Sequence, residues 1–218
     1  MARYGIVIDA NRCTGCMTCV IACKQENLTR PGVWWNRVLA LESEPLHRII
    51  YFRVGCMHCS NPPCLKACPE HAIYMRPEGI ILIDQEKCQG HGECIKACPY
   101  GMIDINPESV YFPGQVLSPE SGAAPHRLQP PGKASMCTMC VHRIDAGREP
   151  ACVEGCPSKA MVFGDLDDPG SPIHEKRRRS EPLLPYKATD PKTFYLFPAG
   201  ASKEAQERVE RLSEAKAP

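Results

Sequence analysis

Apolar positions in this chain come in short runs separated by polar loops. IVI at residues 6–8 and IILI at 80–83 have strand length, and each opens a repeated octet. IVIDANRC (6–13) and ILIDQEKC (81–88) both read as strand residues, Asp, two spacers, a basic residue and Cys. Asp9 and Asp84 fall at the strand ends, which predicts turn formers rather than acids with a chemical task. CPEHAIYM from 68, CPYGMIDI from 98 and CPSKAMVF from 156 place Cys-Pro ahead of apolar residues. The proline breaks a short helical turn and the apolar residues begin a strand. The recurring unit is strand, cysteine loop, short helix, turn and strand, which predicts an α+β fold.

The periodicity fades outside these units. Residues 106–135 are rich in Pro and Gly and predict an extended loop insert. Residues 168–198 carry many prolines and few apolar positions in register, which predicts an arm ordered on docking rather than a second domain. Ala201, Ala205, Val209 and Leu212 then share one helical stripe, and Glu204 with Arg208 and Glu207 with Arg211 stand at i,i+4 spacing, so a short amphipathic helix is expected.

Composition adds a constraint. The 218 residues include 15 Cys but only two Trp, seven Tyr and five Phe, so something besides aromatic packing must help hold the fold. An odd number of cysteines in tight runs does not fit a closed disulfide framework. No apolar stretch approaches the roughly 20 residues of a membrane-spanning helix, which predicts a soluble or peripheral protein. Cys13 is reached without a basic region or apolar signal core, so export, cytoplasmic assembly aside, is expected only in company with a partner that carries a signal to the periplasm. The net charge of +1 gives no case for nucleic acid, and KRRR at 176–179 reads as a solvated or docking face.

The cysteines fall into four runs. The first is Cys13, Cys16, Cys19 and Cys23; the second Cys56, Cys59, Cys64 and Cys68; the third Cys88, Cys94 and Cys98, with His91 where another cysteine would stand; the fourth Cys137, Cys140, Cys152 and Cys156. Three thiolates within about seven residues wrap a loop around three iron corners of a cubane, and the fourth, on the helix that follows, faces the other cluster of a pair. Zinc knuckles are the alternative, but a zinc site has no use for the third close cysteine or the recurrent Cys-Pro.

CTGCMTCVIAC, CMHCSNPPCLKACP, CQGHGECIKACP and CTMCVHRIDAGREPACVEGCP, in that order, resemble the four-cluster iron–sulfur subunit of the dimethyl sulfoxide reductase superfamily of molybdenum and tungsten enzymes. The resemblance covers about residues 4–166 and is most specific in the long gap of the fourth motif. It implies two ferredoxin-like halves, the outer motifs (residues 1–45 with 136–166) pairing with each other and the inner motifs (46–105) with each other; residues 167–218, which the resemblance does not reach, read from their composition as a C-terminal docking arm. Carried over, Cys13, Cys16 and Cys19 with Cys156 hold one cubane, Cys137, Cys140 and Cys152 with Cys23 the second, and Cys56, Cys59 and Cys64 with Cys98 the third. Cys88, Cys94 and Cys68 hold the fourth, with His91 in the remaining place. His91 offers a lone pair to iron, which favours a histidine-ligated [4Fe–4S] cluster; a non-ligating ring there would leave a [3Fe–4S] cluster. Gly90 and Gly92 beside it would let the loop accommodate a ring in either case.

The function so implied is electron transfer between a pterin-bearing molybdenum or tungsten catalytic subunit and a quinone-reactive membrane subunit or soluble carrier. A free-standing polyferredoxin is the alternative. An enzyme in its own right is the weakest class, since no nucleophile and base, nucleotide loop or open metal site stands apart from the cysteine runs. His58, His71 and His142 neighbour the ligands but are not assigned to iron, and Trp34 and Trp35 either line an interface or lie over a cluster.

Overall fold

The computed structural model describes residues 2–44, 46–111, 113–114 and 129–215. Strand β1 (Tyr4–Asp9) is the axis of the largest sheet, because Ile6, Val7 and Ile8 are all buried and both faces are therefore covered. It pairs antiparallel with β8 (Met161–Asp165), Val7 opposite Val162, and parallel with β10 (Thr193–Leu196), Val7 opposite Phe194. β9 (Glu181–Pro182) edges the sheet beyond β10. Three two-stranded ladders complete the strands: β2 (Asn36–Ser43) with β3 (Arg48–Gly55), β4 (Ile73–Met75) with β5 (Ile81–Ile83), and β6 (Ile103–Ile105) with β7 (Ala134–Met136).

The predicted units are present. β1 and β5 lead into the first and third cysteine runs, and β4, β6 and β8 follow the Cys-Pro steps. Asp9 Oδ1 accepts the Asn11 N–H at 3.1 Å and Asp84 Oδ1 the Glu86 N–H at 3.0 Å, the local bonds of turn-forming aspartates. Helices are short: α1 (Thr18–Asn27), α2 (Pro63–Ala67), α3 (Glu93–Ala97), α4 (Val141–Ile144) and α5 (Ala151–Glu154). α1 packs on α5 and α2 on α3, so the helices of the outer runs meet each other and so do those of the inner runs.

The C-terminal segment differs from the expected arm. Within 167–215 it supplies β10 to the main sheet, and Thr193 and Tyr195 are fully buried. Tyr195 stacks on Phe197 at 5.4 Å and meets the edge of Phe52 at 6.2 Å, while its hydroxyl donates to the Arg53 carbonyl at 3.1 Å. An apolar run of four, FYLF, behind the β-branched Thr193 is enough to nucleate a strand despite the prolines around it. Two further helices lie in this segment, α6 (His174–Arg178) and α7 (Ser202–Glu214). The KRRR run is not wholly solvated, since Arg177 lies over the Phe194 ring at 3.6 Å.

α7 is the predicted amphipathic helix. Ala201, Ala205 and Val209 are fully buried and the helix packs against β2 of its own chain. Its Glu204 accepts from Ser43 Oγ at 2.8 Å, a tertiary bond that the i,i+4 spacing did not anticipate. The insert begins and ends as a ladder, β6 against β7, with Asn106 and Lys133 bonded at its mouth. Strand β7 takes Ala134 and Ser135 out of the expected loop, and 112 and 115–128 lie outside the described residues.

Candidate metal centre

Four groups of side chains gather the cysteine runs. A recess on one side of the main sheet is lined by Cys13, Cys16, Cys19 and Cys156, with Arg53 in its wall. Cys156 reaches it because β8 runs back beside β1, setting Met161 opposite Ile8. Cys23, Cys137, Cys140 and Cys152 form a second, buried group; burial, then the charges of Cys137, Cys152 and Cys140, push the Cys23 thiol well up. Cys56, Cys59, Cys64 and Cys98 line a third recess, and Cys68, Cys88, Cys94 and His91 a fourth. Each group thus joins three positions of one run to one position of another.

Backbone and side-chain donors point at the sulfurs. The N–H groups of His58, Ala134, Met139 and Ala160 lie 3.3–3.5 Å from Cys56, Cys88, Cys137 and Cys156 Sγ. Asn27 Nδ2 lies 3.5 Å from Cys23 Sγ and 3.7 Å from Cys140 Sγ. These donors favour thiolate over thiol. Among the described residues no three His, Cys, Asp or Glu side chains are arranged to hold a single metal ion.

Neighbouring residues fix these loops. Trp35 is buried beside Cys23, Cys137 and Cys56 and donates Nε1–H to Ser135 Oγ at 3.2 Å, which decides for burial over an interface at that position. Trp34 carries Lys24 over its ring at 4.5 Å. His58 is buried; its Nδ1 accepts the Ile81 N–H at 3.0 Å, so Nε2 bears the proton, and burial first, then Lys192 and Arg53, lowers its pKa to about 3. His142 Nε2 pairs with Glu26 at 2.7 Å, and the His71 N–H bonds the Cys68 carbonyl at 3.2 Å. The long gap of the fourth run is pinned by Arg143, which bonds Glu26 Oε2 at 2.8 Å and the Glu149 carbonyl at 2.8 Å and also pairs with Glu154.

His91 borders the fourth recess, half-exposed, with Nε2 2.8 Å from Glu70 Oε1. Gly90 serves a different purpose from the one expected: its φ is +76° and an added Cβ would lie 2.1 Å from the Gly132 carbonyl, so the loop requires glycine whatever ring stands next to it. Three residues of consequence escaped sequence reasoning. Glu70 is separated from His91 by 21 positions; Asn27 ends a helix; and Arg53 sits in a strand, RIIYFRVG, whose mostly apolar run gives no reason to bury a cation.

A family model described as a 4Fe-4S dicluster domain matches residues 47–113 and 123–166, and a 4Fe-4S binding domain matches 4–25. The chain is 38% identical over 220 residues to a Halobacterium salinarum protein assigned as the iron–sulfur subunit of a dimethyl sulfoxide reductase, covering 90% of this chain and 79% of the relative. It is 34% identical to the arsenate respiratory reductase iron–sulfur subunit of a Shewanella species, covering 89% and 96%. It is 36% identical to a subunit of the tetrathionate reductase of Salmonella typhimurium, covering 89% and 72%.

Burial leads the causes that raise the thiols of Cys19, Cys59 and Cys94 to about 11 and those of Cys64 and Cys140 to about 12, from an ordinary 9.0. In the metal-free chain the folded state therefore keeps protons that the unfolded chain gives up. Its stability should be undiminished by these groups below pH 9 and fall as pH rises through about 12. Metal-bound thiolates lack that proton, so in the loaded protein acid, not alkali, should release the metal. Urea midpoints of both forms across pH 6–11, followed by circular dichroism, check the contrast.

Proposed function

As the chain belongs to the family of iron–sulfur subunits of dimethyl sulfoxide and arsenate reductases, we propose that it relays electrons between a catalytic subunit and a membrane subunit or soluble carrier. The catalytic partner in this proposal bears a molybdenum or tungsten pterin, and the membrane partner is quinone-reactive. The observation that carries the relay is the adjacency of the four sulfur groups. Cys19 lies within the field of Cys152, Cys56 packs with Cys137, and Cys64 lies within the field of Cys94, which strings the groups into one line. Iron–sulfur clusters, when bound, supply one-electron steps without bond chemistry.

The finer assignment is four clusters in two ferredoxin-like halves. Cys13, Cys16, Cys19 and Cys156 hold the first, Cys137, Cys140, Cys152 and Cys23 the second, and Cys56, Cys59, Cys64 and Cys98 the third. Cys88, Cys94, Cys68 and His91 hold the fourth. The linings of the three recesses and the packing of α1 on α5 and α2 on α3 support it. His91 binds through Nδ1 in this assignment, with Glu70 on Nε2 orienting the ring and raising its basicity, as carboxylates do for metal-bound imidazoles. Exchanging a thiolate for a neutral ring removes a negative charge, so this end of the line holds a high-potential cluster suited to the quinone side.

The C-terminal segment carries no weight for partner docking, because it belongs to the main sheet. The subunit role rests instead on the relatives, each named as one chain of a larger reductase. Among the described residues no helix is long and apolar enough to cross a membrane, and in this proposal any membrane contact is made through the partner.

Anaerobic purification of the native protein should yield a complex with a larger catalytic chain and about 16 iron and 16 sulfide per copy of this chain, four clusters of four. A lone monomer with full cluster content would overturn the subunit role, and metal analysis dominated by zinc would overturn the cluster assignment. Cys156→Ser should perturb the cluster of the first run while leaving that of Cys137, Cys140 and Cys152 intact; the reverse pattern in EPR would show self-contained runs. His91→Ala should convert one cluster to a three-iron form with its characteristic EPR signal in the oxidised protein. A stoichiometric three-iron signal already present in the wild type, and unchanged by the substitution, sinks the ligand role.

A further inference from the structure

Arg53 is buried to 2% exposure on β3, yet among the described residues Nε, Nη1 and Nη2 have no hydrogen-bond partner. A guanidinium carries five N–H donors and does not deprotonate in a protein, so it is a full positive charge left bare in the interior. Burying such a charge without a counter-ion is strongly destabilising. The groups facing it include the sulfurs of Cys152, Cys137 and Cys19 and the Tyr195 phenol.

The position is built. Gly55, two residues on and on the same face of β3, has no Cβ; one added there would lie 2.5 Å from Nη2 and 2.7 Å from Cζ. The guanidinium therefore lies flat against the glycine, in a cradle that any larger residue would fill. Tyr195 pins the backbone beneath it by its bond to the Arg53 carbonyl at 3.1 Å. Arg53 also forms part of the wall of the recess lined by Cys13, Cys16, Cys19 and Cys156. It thus stands between the first sulfur group and the second.

We propose that Arg53 is the fixed cation and hydrogen-bond donor shared by the two outer clusters, and that it holds both their reduction potentials above the values the cysteines alone would give. This rests on the cluster assignment proposed above. A core with four thiolates is anionic and becomes more so on reduction, so a nearby fixed positive charge stabilises the reduced form more than the oxidised form. Donation from the guanidinium to sulfur acts in the same direction. Arg53 lines neither of the two inner recesses, although its field reaches His58 beside the third, so the effect is largest on the outer two. Arg53 is a positioning and tuning residue, not a ligand.

The test is potentiometric titration followed by EPR on the native complex, wild type and with Arg53→Gln or Arg53→Lys, after iron and sulfide are measured on each. In loaded Arg53→Gln, two of the four transitions should shift negative by at least tenfold in the reduction equilibrium, about 59 mV for one electron, while the other two move less. Arg53→Lys, which keeps the charge but loses the planar fork, should shift the same two by less. A loaded variant whose four potentials all match the wild type overturns the proposal. Should Arg53→Gln fail to load, the wild type itself decides. Pulsed EPR with 15N-arginine labelling should reveal arginine nitrogen coupled to the reduced outer clusters, absent from loaded Arg53→Lys at the guanidinium frequencies. No arginine coupling in the wild type overturns the role of Arg53. A wild type lacking the four clusters overturns the assignment beneath it, so the two failures are distinct.

Discussion

Thiolates gathered in a low-dielectric interior repel one another, and this chain gathers its sulfurs in groups of three and four. Burial above all pushes several of the thiols to about 11 or 12, so the interior holds them as protonated thiols until something positive displaces the proton. The loops around them are shaped to that end. Backbone N–H groups aim at sulfur from short helices and turns, Asn27 spans Cys23 and Cys140, and Arg53 brings a permanent charge into the space between two groups. A hydrocarbon core would need none of these devices.

The same demand explains the topology. A loop with three close cysteines surrounds one side of a group, and the last side must come from elsewhere in the chain. β8 returning beside β1 carries Cys156 to Cys13, across more than a hundred positions, and the packing of α1 on α5 carries Cys23 to Cys152. The contact of α2 with α3 does the same for Cys98 and Cys68. Strands in this protein are short because they need only deliver a loop, and the aromatic poverty of the sequence is tolerable because the largest apolar cluster is completed by sulfur.

The cysteine runs, the strands that feed them and the Cys-Pro steps that end their helices were legible because each is a local pattern with a local cause. The sulfur groups themselves came from the resemblance, not from spacing, and each brings together residues that the sequence separates. What escaped was non-local. FYLF looked like one apolar patch in a proline-rich tail, and only the open edge of β1 makes it a central strand. The purpose of Gly90 was hidden because the carbonyl it approaches, that of Gly132, lies at the far end of the insert. Arg53 follows four apolar or aromatic residues in RIIYFRVG, and nothing in that run says that the face it takes meets sulfur rather than water.

Charge along the proposed line of groups is uneven. In the proposed ligation the outer pair shares the guanidinium of Arg53, while the group at the other end exchanges one thiolate for the imidazole of His91. Both substitutions reduce the net negative charge that an added electron must meet, one by adding a cation and the other by removing an anion. The third group lies between them with four thiolates and with the partly neutralising field of buried Lys192 at Cys59. A route whose ends are eased by different means has ends that respond to different perturbations: the outer pair to the packing of the Arg53 guanidinium on Gly55, the inner end to solvent and to whatever surface covers His91 and Glu70. The two partners of a relay would then each control the end that they touch, with the middle held constant by the protein interior.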